Sequence, residues 1–181
     1  MSMKFLTYTG NVFDLDNITD NDIDIRDIAH SLAFQCRYIG HCIKYYSVAE
    51  HSIRMVEAGL PGRPKVLLLH DAAEAYIGDI VSPIKRSIYY NKTSIRELED
   101  RILKHIGYKF NVLIKHSEFV AADRIMLATE VRDLVNPLHP EIYEEYIKGY
   151  EPLKNYQISY TLNPEQAEKR FLEKCYDLHI L

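Results

Sequence analysis

The stretch that decides the fold reads LLLHDAAEAYIGD and covers residues 67–79. Nearly every position from 64 to 77 is apolar apart from His70, Asp71 and Glu74. A segment that is apolar on almost every side is typical of a helix that runs through the middle of a domain. Charged side chains seldom lie there unless they are paired or bind a metal. Because positions three and four apart share one side of a helix, these residues form half of a predicted polar site.

Two other segments supply candidates for the other half. SVAEHS places His51 near the start of a second helix, and VAADRIMLATE places Asp123 and Glu130 two turns apart on one face of a largely apolar helix. Each residue taken alone has a structural alternative, such as a core histidine, a helix cap or a salt bridge. Taken together, the predicted metal ligands are His51, His70, Asp71 and Asp123.

Two imidazoles and two carboxylates form a mixed nitrogen and oxygen ligand set. Such a set suits a divalent ion of Mn, Co, Fe, Ni, Mg or Zn, with open positions for water and substrate. A metal in this environment lowers the pKa of bound water and polarises a phosphoryl oxygen, while a nearby carboxylate takes the proton. The ligand set therefore favours metal-assisted hydrolysis.

The remaining pattern predicts an all-α domain of six or seven helices around one buried helix. Alternating apolar and polar residues over 4–14 add a short N-terminal β-ribbon. The segment IRDIAHSLAFQCRYI has helical spacing after Asp22 or Asp24, and Ser47 with Glu50 has the spacing of a capping box at the start of the second helix. Further helices are predicted over 93–106 and 117–134, and in the segments EIYEEYIKGY and NPEQAEKRFLEKCYDL.

Composition limits the class of protein. The 181 residues are 47% hydrophobic and 27% charged, which is typical of one soluble globular domain spanning 1–181. The net charge is −4 and the basic residues are scattered, so a nucleic-acid polymer is not expected as a partner. No apolar run reaches the roughly 18 residues that a membrane span needs. Three cysteines without a CxxC pair favour a reducing, cytoplasmic location.

The order of these motifs along the chain resembles the HD superfamily of metal-dependent phosphohydrolases. The phrases RYIGHCIKYYSVAEHS, LLLHDAAEAYIGDIVSPIK and AADRIMLATEVRDL look like blocks of its 5'-deoxynucleotidase branch, and they cover most of residues 22–134. The ending NPEQAEKRFLEK is also similar, especially to short phage-encoded hydrolases, some of which resemble dATP triphosphohydrolases. The resemblance implies a single HD-domain helical bundle and the same four metal ligands.

The resemblance also implies roles for residues beyond the metal ligands. Glu74 matches the acid that assists the attacking water, and Asp79 matches a second acid near the phosphate and the leaving oxygen. Arg37 and Tyr38 match an Arg-aromatic pair beside the sugar and phosphate, although the bacterial enzymes have Trp where this chain has Tyr. Lys85 matches a lysine that approaches phosphate. As alternatives, Glu74 could orient a metal ligand and Asp79 could cap a turn.

These expectations point to a deoxynucleotide as the small-molecule substrate. The reaction is either release of phosphate from a deoxynucleoside monophosphate or release of triphosphate from a deoxynucleoside triphosphate such as dATP. A cyclic-nucleotide or signalling-nucleotide phosphodiesterase is one alternative, and a catalytically idle HD module that binds a nucleotide or a partner protein is another. Relatives of this type are often dimers, and the tyrosines in 89–90 and 143–150 could supply a homo-oligomer interface.

Overall fold

A computed structural model describes residues 3–85, 87–135 and 140–181. Helices dominate this part of the chain, so the prediction of an all-α fold is confirmed at the level of fold class. The helices are α1 (Ile25–Phe34), α2 (Val48–Glu57), α3 (Pro64–Leu69), α4 (Glu74–Ile77), α5 (Ser82–Lys85), α6 (Ile95–Lys109), α7 (His116–Leu134), α8 (Pro140–Ile142) and α9 (Pro164–Asp177). Two 3₁₀ turns and a π-helical turn occupy Asp20–Asp22, Arg37–Gly40 and Tyr143–Ile147.

Two short antiparallel ribbons accompany the helices. β1 (Lys4–Leu6) pairs with β2 (Val12–Asp14), which confirms the predicted N-terminal ribbon. β3 (Tyr89–Tyr90) pairs with β4 (Thr93–Ser94), and the sequence does not predict this second ribbon. Each ribbon is a sheet of two strands, so neither contributes a layer to the fold.

The core lies between the first and last helices and α2. α1 packs against α9, α2 and α4, and α2 also packs against α3, α7 and α9. Fully buried side chains from several of these elements meet in one cluster, including Leu32, Leu68 and Phe171, and Phe13 of β2 joins them. Within the part of the chain that the structure describes, no helix combines the length and the apolarity that crossing a bilayer requires.

The predicted central helix over 64–77 is not continuous. The structure divides it into α3 and α4, and the residues from His70 to Ala73 form a tight turn. The amides of Ala72 and Glu74, and those of the two residues after Glu74, each donate a hydrogen bond to the carbonyl oxygen three residues earlier in the chain. Three-residue bonds wind the chain more tightly than an α-helix does, which the apolar pattern alone does not reveal. His70 and Asp71 therefore follow directly on the end of α3.

Side-chain caps begin the helices where the sequence predicts them. Asp24 accepts a hydrogen bond from the amide of Arg26, and Ser47 accepts one from the amide of Glu50. The predicted capping box at Ser47 is only half formed, because the Glu50 carboxylate accepts from the Arg54 guanidinium and from the amide of Leu162 instead. A charge-assisted pair inside the fold is stronger than the reciprocal cap would be.

Replacing Ser47 with alanine is expected to lower the free energy of unfolding by about 1 kcal/mol, because a fully buried N-cap hydroxyl is lost from the helix that carries His51. Urea denaturation of the purified variant measures this change. Ser159→Ala is the matched control, because Ser159 is exposed. Equal unfolding midpoints for the two variants would contradict a stabilising role for the Ser47 cap.

Candidate metal site

Three of the four predicted ligands form one cluster. His51 comes from α2, and His70 with Asp71 comes from the turn after α3. One ligand atom from each residue lies within 4.8 Å of the other two. Oδ2 of Asp71 is 3.1 Å from Nε2 of His70 and 3.9 Å from Nε2 of His51. Both imidazoles are buried while the Asp71 side chain is 20% exposed, so the cluster reaches solvent on the Asp71 side. It could hold a divalent metal ion.

Asp123, the fourth predicted ligand, lies beside this cluster without belonging to it. Its Oδ1 is 3.3 Å from Nε2 of His51, and α7 supplies it. Burial raises the pKa of Asp123, but the hydrogen bond and the charge of His51 outweigh burial and lower it. The structure thus places an ionised carboxylate next to the cluster, and direct ligation by Asp123 remains a prediction.

Each imidazole presents the same nitrogen to the cluster. Nδ1 of His70 lies 2.8 Å from the carbonyl oxygen of Leu67, and a carbonyl only accepts, so this nitrogen carries the proton. Nδ1 of His51 lies 2.5 Å from Oε1 of Glu130, where the carboxylate is the acceptor. In both rings Nδ1 is the nitrogen that faces a fixed acceptor, so Nε2 is the atom that each ring would offer to a metal in place of a proton.

Glu130 of α7 orients His51 by contacting the ring nitrogen that faces away from the cluster. Its carboxylate is fully buried and accepts hydrogen bonds from the hydroxyls of Tyr38 (2.6 Å) and Tyr46 (2.8 Å) as well as from His51. Burial raises the pKa of Glu130, but the charges of Arg37 and His51 and the hydrogen bonds lower it to about 2. The sequence predicts only that Glu130 shares a helix face with Asp123, and it does not indicate any role for Tyr46.

The negative charge around His51 is strong. Burial and the charge of Arg37 lower the pKa of His51, but the charge of Glu130 and hydrogen bonds to Asp123 and Glu130 raise it to about 9. For Asp71, burial raises the pKa, while His70, His51 and Arg37 lower it further than burial raises it. The two shifts have complementary causes, because carboxylates stabilise the positive charge on His51 while the neighbouring positive groups stabilise the negative charge on Asp71.

Glu130→Gln is expected to weaken divalent metal binding by about 10- to 100-fold, because the amide has no negative charge to fix the His51 ring and raise its basicity. Competition with a fluorescent chelator measures the affinity. Glu118→Gln makes the same change on the same helix, in a surface pair with Arg63. Metal affinity that is unchanged in Glu130→Gln, relative to that control, would contradict the orienting role.

The Arg37–Tyr38 pair reaches the cluster through a strained turn. The sequence predicts a helix through Ile39, but α1 ends at Phe34 and the chain turns at Arg37–Gly40. Tyr38 and Ile39 have φ angles of 58° and 53°, in the left-handed region that residues other than glycine rarely adopt. The amide of Arg37 bonds to the Tyr46 carbonyl and ties the turn to the segment before α2.

The turn directs both side chains at acids of the site. Nη1 of Arg37 is 3.5 Å from Oδ2 of Asp71, and Nη2 is 3.3 Å from Oε2 of Glu130. The Tyr38 hydroxyl donates to Glu130. The structure therefore places this predicted pair next to the candidate metal-binding residues. The contacts of the pair with a substrate remain a prediction.

Glu74 begins α4 and is buried. Its Oε1 accepts a hydrogen bond from Nζ of Lys85 at 2.8 Å, and the same ammonium donates to Oε1 of Glu99 at 2.6 Å. Burial and the charge of Asp71 raise the pKa of Glu74 well above its usual range, and Lys85 opposes them. The structure thus places the predicted Lys85 between two carboxylates. The sequence does not single out Glu99.

Asp79 is half-buried in the segment after α4. Its amide donates to Oε1 of Gln35 at 2.8 Å, and the Gln35 side-chain amide donates to the Glu74 carbonyl at 3.0 Å. Burial raises the pKa of Asp79, and Arg37 opposes this effect. Through these two hydrogen bonds Gln35 links Asp79 to Glu74, the predicted water-activating acid.

Buried polar atoms without a partner mark the site. Among the described residues, five buried side-chain nitrogen or oxygen atoms have no hydrogen-bond partner. Nearly all buried polar atoms in folded proteins have one, so such atoms call for an explanation. Four of the five belong to residues that the sequence predicts for the site. The five atoms are Nε of Arg37, Nε2 of His51, Oγ of Ser52, Nε2 of His70 and Oε2 of Glu74.

A cavity of about 500 Å³ lies elsewhere, between the N-terminal ribbon and α1. Its walls include Phe5, Tyr8 and Phe34, and the rings of Tyr8 and His30 stack with their centroids 3.7 Å apart. The four predicted metal ligands are absent from its lining. Volume alone therefore does not locate the candidate metal site.

Comparison with known proteins places the chain among its relatives. No protein-family model matches it. An uncharacterized protein of Rhodobacter capsulatus is 37% identical over 113 residues, which are 58% of this chain and 56% of that protein. The uncharacterized protein YfdR of Escherichia coli (strain K12) is 34% identical over 178 residues, which are 97% of this chain and 96% of YfdR. Because this similarity extends over nearly the whole of both proteins, the chain belongs to the family of YfdR.

Proposed function

We propose that the chain is a metal-dependent phosphohydrolase of the HD type that acts on deoxynucleotide 5'-phosphates. One observation carries the proposal: the unpartnered buried atoms include the Nε2 atoms of two imidazoles, one guanidinium donor and one carboxylate acceptor. A metal ion, an anionic oxygen and a water molecule would satisfy these three kinds of atom. Metal-assisted hydrolysis of a phosphate ester uses the same three partners.

The donor set supports the metal. Nε2 of His51, Nε2 of His70 and the Asp71 carboxylate lie within one ligand-sized cluster, and the protons on the opposite ring nitrogens are fixed. Nitrogen and oxygen ligands without thiolate suit Mn, Co, Mg, Zn, Ni or Fe. A divalent ion bound there would lower the pKa of water and polarise a phosphoryl oxygen. Asp123, which lies beside His51, would be a further metal ligand.

Arg37 supports an anionic substrate. Its two terminal nitrogens face Asp71 and Glu130, while its buried Nε–H has no acceptor. A phosphate oxygen is the kind of acceptor that arginine binds most strongly, through charge-assisted hydrogen bonds. The two acids hold the guanidinium in place before substrate arrives, which lowers the entropy cost of binding. The nucleotide itself, and the preference for deoxyribose, rest on the resemblance to the 5'-deoxynucleotidase branch.

Glu74 supports hydrolysis over binding alone. Its Oε1 is held by Lys85, and its Oε2 has no partner and can accept a proton from a water molecule near the cluster. Asp79 would act as the second acid and interact with the leaving oxygen. A module that only binds nucleotides has no use for a buried acceptor in this position.

We also propose that the protein acts in the cytoplasm, because its cysteines are free thiols.

The test is an assay of metal-free protein that has been reloaded with Mn, Co, Mg or Zn. Phosphate, triphosphate and nucleoside are followed from deoxy- and ribonucleoside mono- and triphosphates, with the chelated protein as control. Metal-dependent release of phosphate or of triphosphate is the expected result, and the product identifies the substrate. Turnover of cyclic nucleotides alone would support a phosphodiesterase. Nucleotide binding without product, in protein that holds stoichiometric metal, would support a binding module and overturn the proposal.

A further inference from the structure

The Glu74 side chain is held on one oxygen only. Lys85 Nζ lies 2.8 Å from Oε1, and Oε2 has no partner. Lys85 in turn contacts Glu99 Oε1 at 2.6 Å. Glu99 lies in the second turn of α6, a helix that packs against the 3₁₀ turn at Asp20–Asp22. A chain of two contacts therefore links the acid of the site to a separate helix.

The surroundings of Lys85 do not favour a phosphate ligand. Its side chain is 17% exposed, and its ammonium lies within hydrogen-bond distance of two carboxylates. A lysine ammonium is a compact, strongly hydrated charge with three donors, and two of them are used here. A phosphate that recruited Lys85 would have to compete with both acids. If Lys85 left Glu74, that buried carboxylate would lose its only charged hydrogen-bond partner among the described residues.

We propose that Lys85 and Glu99 are positioning residues, which act on the substrate only through Glu74. Glu99 holds the ammonium of Lys85, and Lys85 holds Oε1 of Glu74, so that Oε2 alone is presented to the attacking water. This inference rests on the proposed phosphohydrolase function. It gives Lys85 a role different from the predicted contact with phosphate.

The two roles of Lys85 predict different kinetics. If Lys85 positions Glu74, then Lys85→Met and Glu99→Gln should both lower kcat by about tenfold or more, with KM changed less than about threefold. If Lys85 binds phosphate, then Lys85→Met should raise KM, and Glu99→Gln should free the ammonium and lower KM. Lys85→Arg keeps the charge and should restore part of kcat. Asp100→Asn, an exposed acid on the same helix, is the matched control.

A second measurement does not depend on activity. The carboxylate carbon of Glu74 can be followed by ¹³C NMR in metal-free protein, and Glu74→Gln assigns its resonance. Glu99→Gln, which does not touch Glu74 directly, should shift this resonance, and Asp100→Asn should leave it in place. A KM effect without a kcat effect, or an unmoved Glu74 resonance in Glu99→Gln, would overturn the proposal. A shifted resonance in a protein that hydrolyses no nucleotide would refute the phosphohydrolase function while leaving the coupling of Glu99 to Glu74 intact.

Discussion

Replacing Asp71 with alanine is expected to remove metal binding and hydrolysis together. Asp71 supplies the one carboxylate of the three-residue cluster, and its Oδ2 lies next to Nε2 of both imidazoles. Without it, the two imidazoles remain beside Arg37, whose charge repels a cation. The catalytic effect of a metal is worth several kcal/mol, so kcat/KM should fall by on the order of a thousandfold or more.

The metal can be measured apart from the activity. Added Mn should raise the thermal midpoint of the metal-free wild type, since a ligand that binds only the folded state stabilises it, and should leave that of Asp71→Ala unchanged. The variant should remain folded, because Asp71 is partly exposed and lies outside the apolar core. Asp177→Ala, an exposed acid at the end of α9, controls for the lost charge. Full metal occupancy in Asp71→Ala would show that the cluster is not the metal site.

The starts of three helices could be predicted because caps are local. Asp24, Ser47 and Asn163 each bond to an amide two or three residues away, and the sequence displays both partners together. The break after Leu69 could not be predicted in this way, because apolar spacing does not distinguish a tight turn from a helix over so few residues. The second ribbon turns through Asn91 and Lys92, both with positive φ. That pair lacks the glycine that signals such turns.

The candidate site could be predicted in part because its ligands interrupt apolar segments. His70, Asp71 and Glu74 are conspicuous there, since burial without a partner would be costly. The partners of these residues are not visible in the same way. Glu130 and His51 are 79 positions apart, and only the packing of α2 against α7 brings them together. The ligands therefore stand out in the sequence, while the residues that orient them depend on tertiary structure.

Glu99 is the clearest example of a residue that the sequence conceals. It lies in a charged amphipathic helix between Glu97 and Asp100, and local pattern does not distinguish the three acids. In the structure they differ completely. Glu97 closes the capping box with Ser94, Asp100 is exposed, and Glu99 turns inward to Lys85. The role of each of these carboxylates therefore depends on its tertiary contacts and not on the local sequence.

Glu74→Gln separates catalysis from metal binding most sharply. The amide keeps the size of the side chain and can still accept from Lys85, but it cannot take a proton from water. We expect kcat to fall by roughly 10²- to 10⁴-fold, with metal content and the affinity for nucleotide nearly unchanged. Rapid-mix turnover and metal analysis of one preparation measure both, and Glu173→Gln, an exposed acid of α9, is the control. Loss of metal together with turnover would mean that Glu74 orients a ligand of the cluster, and a wild-type rate would mean that another group accepts the proton.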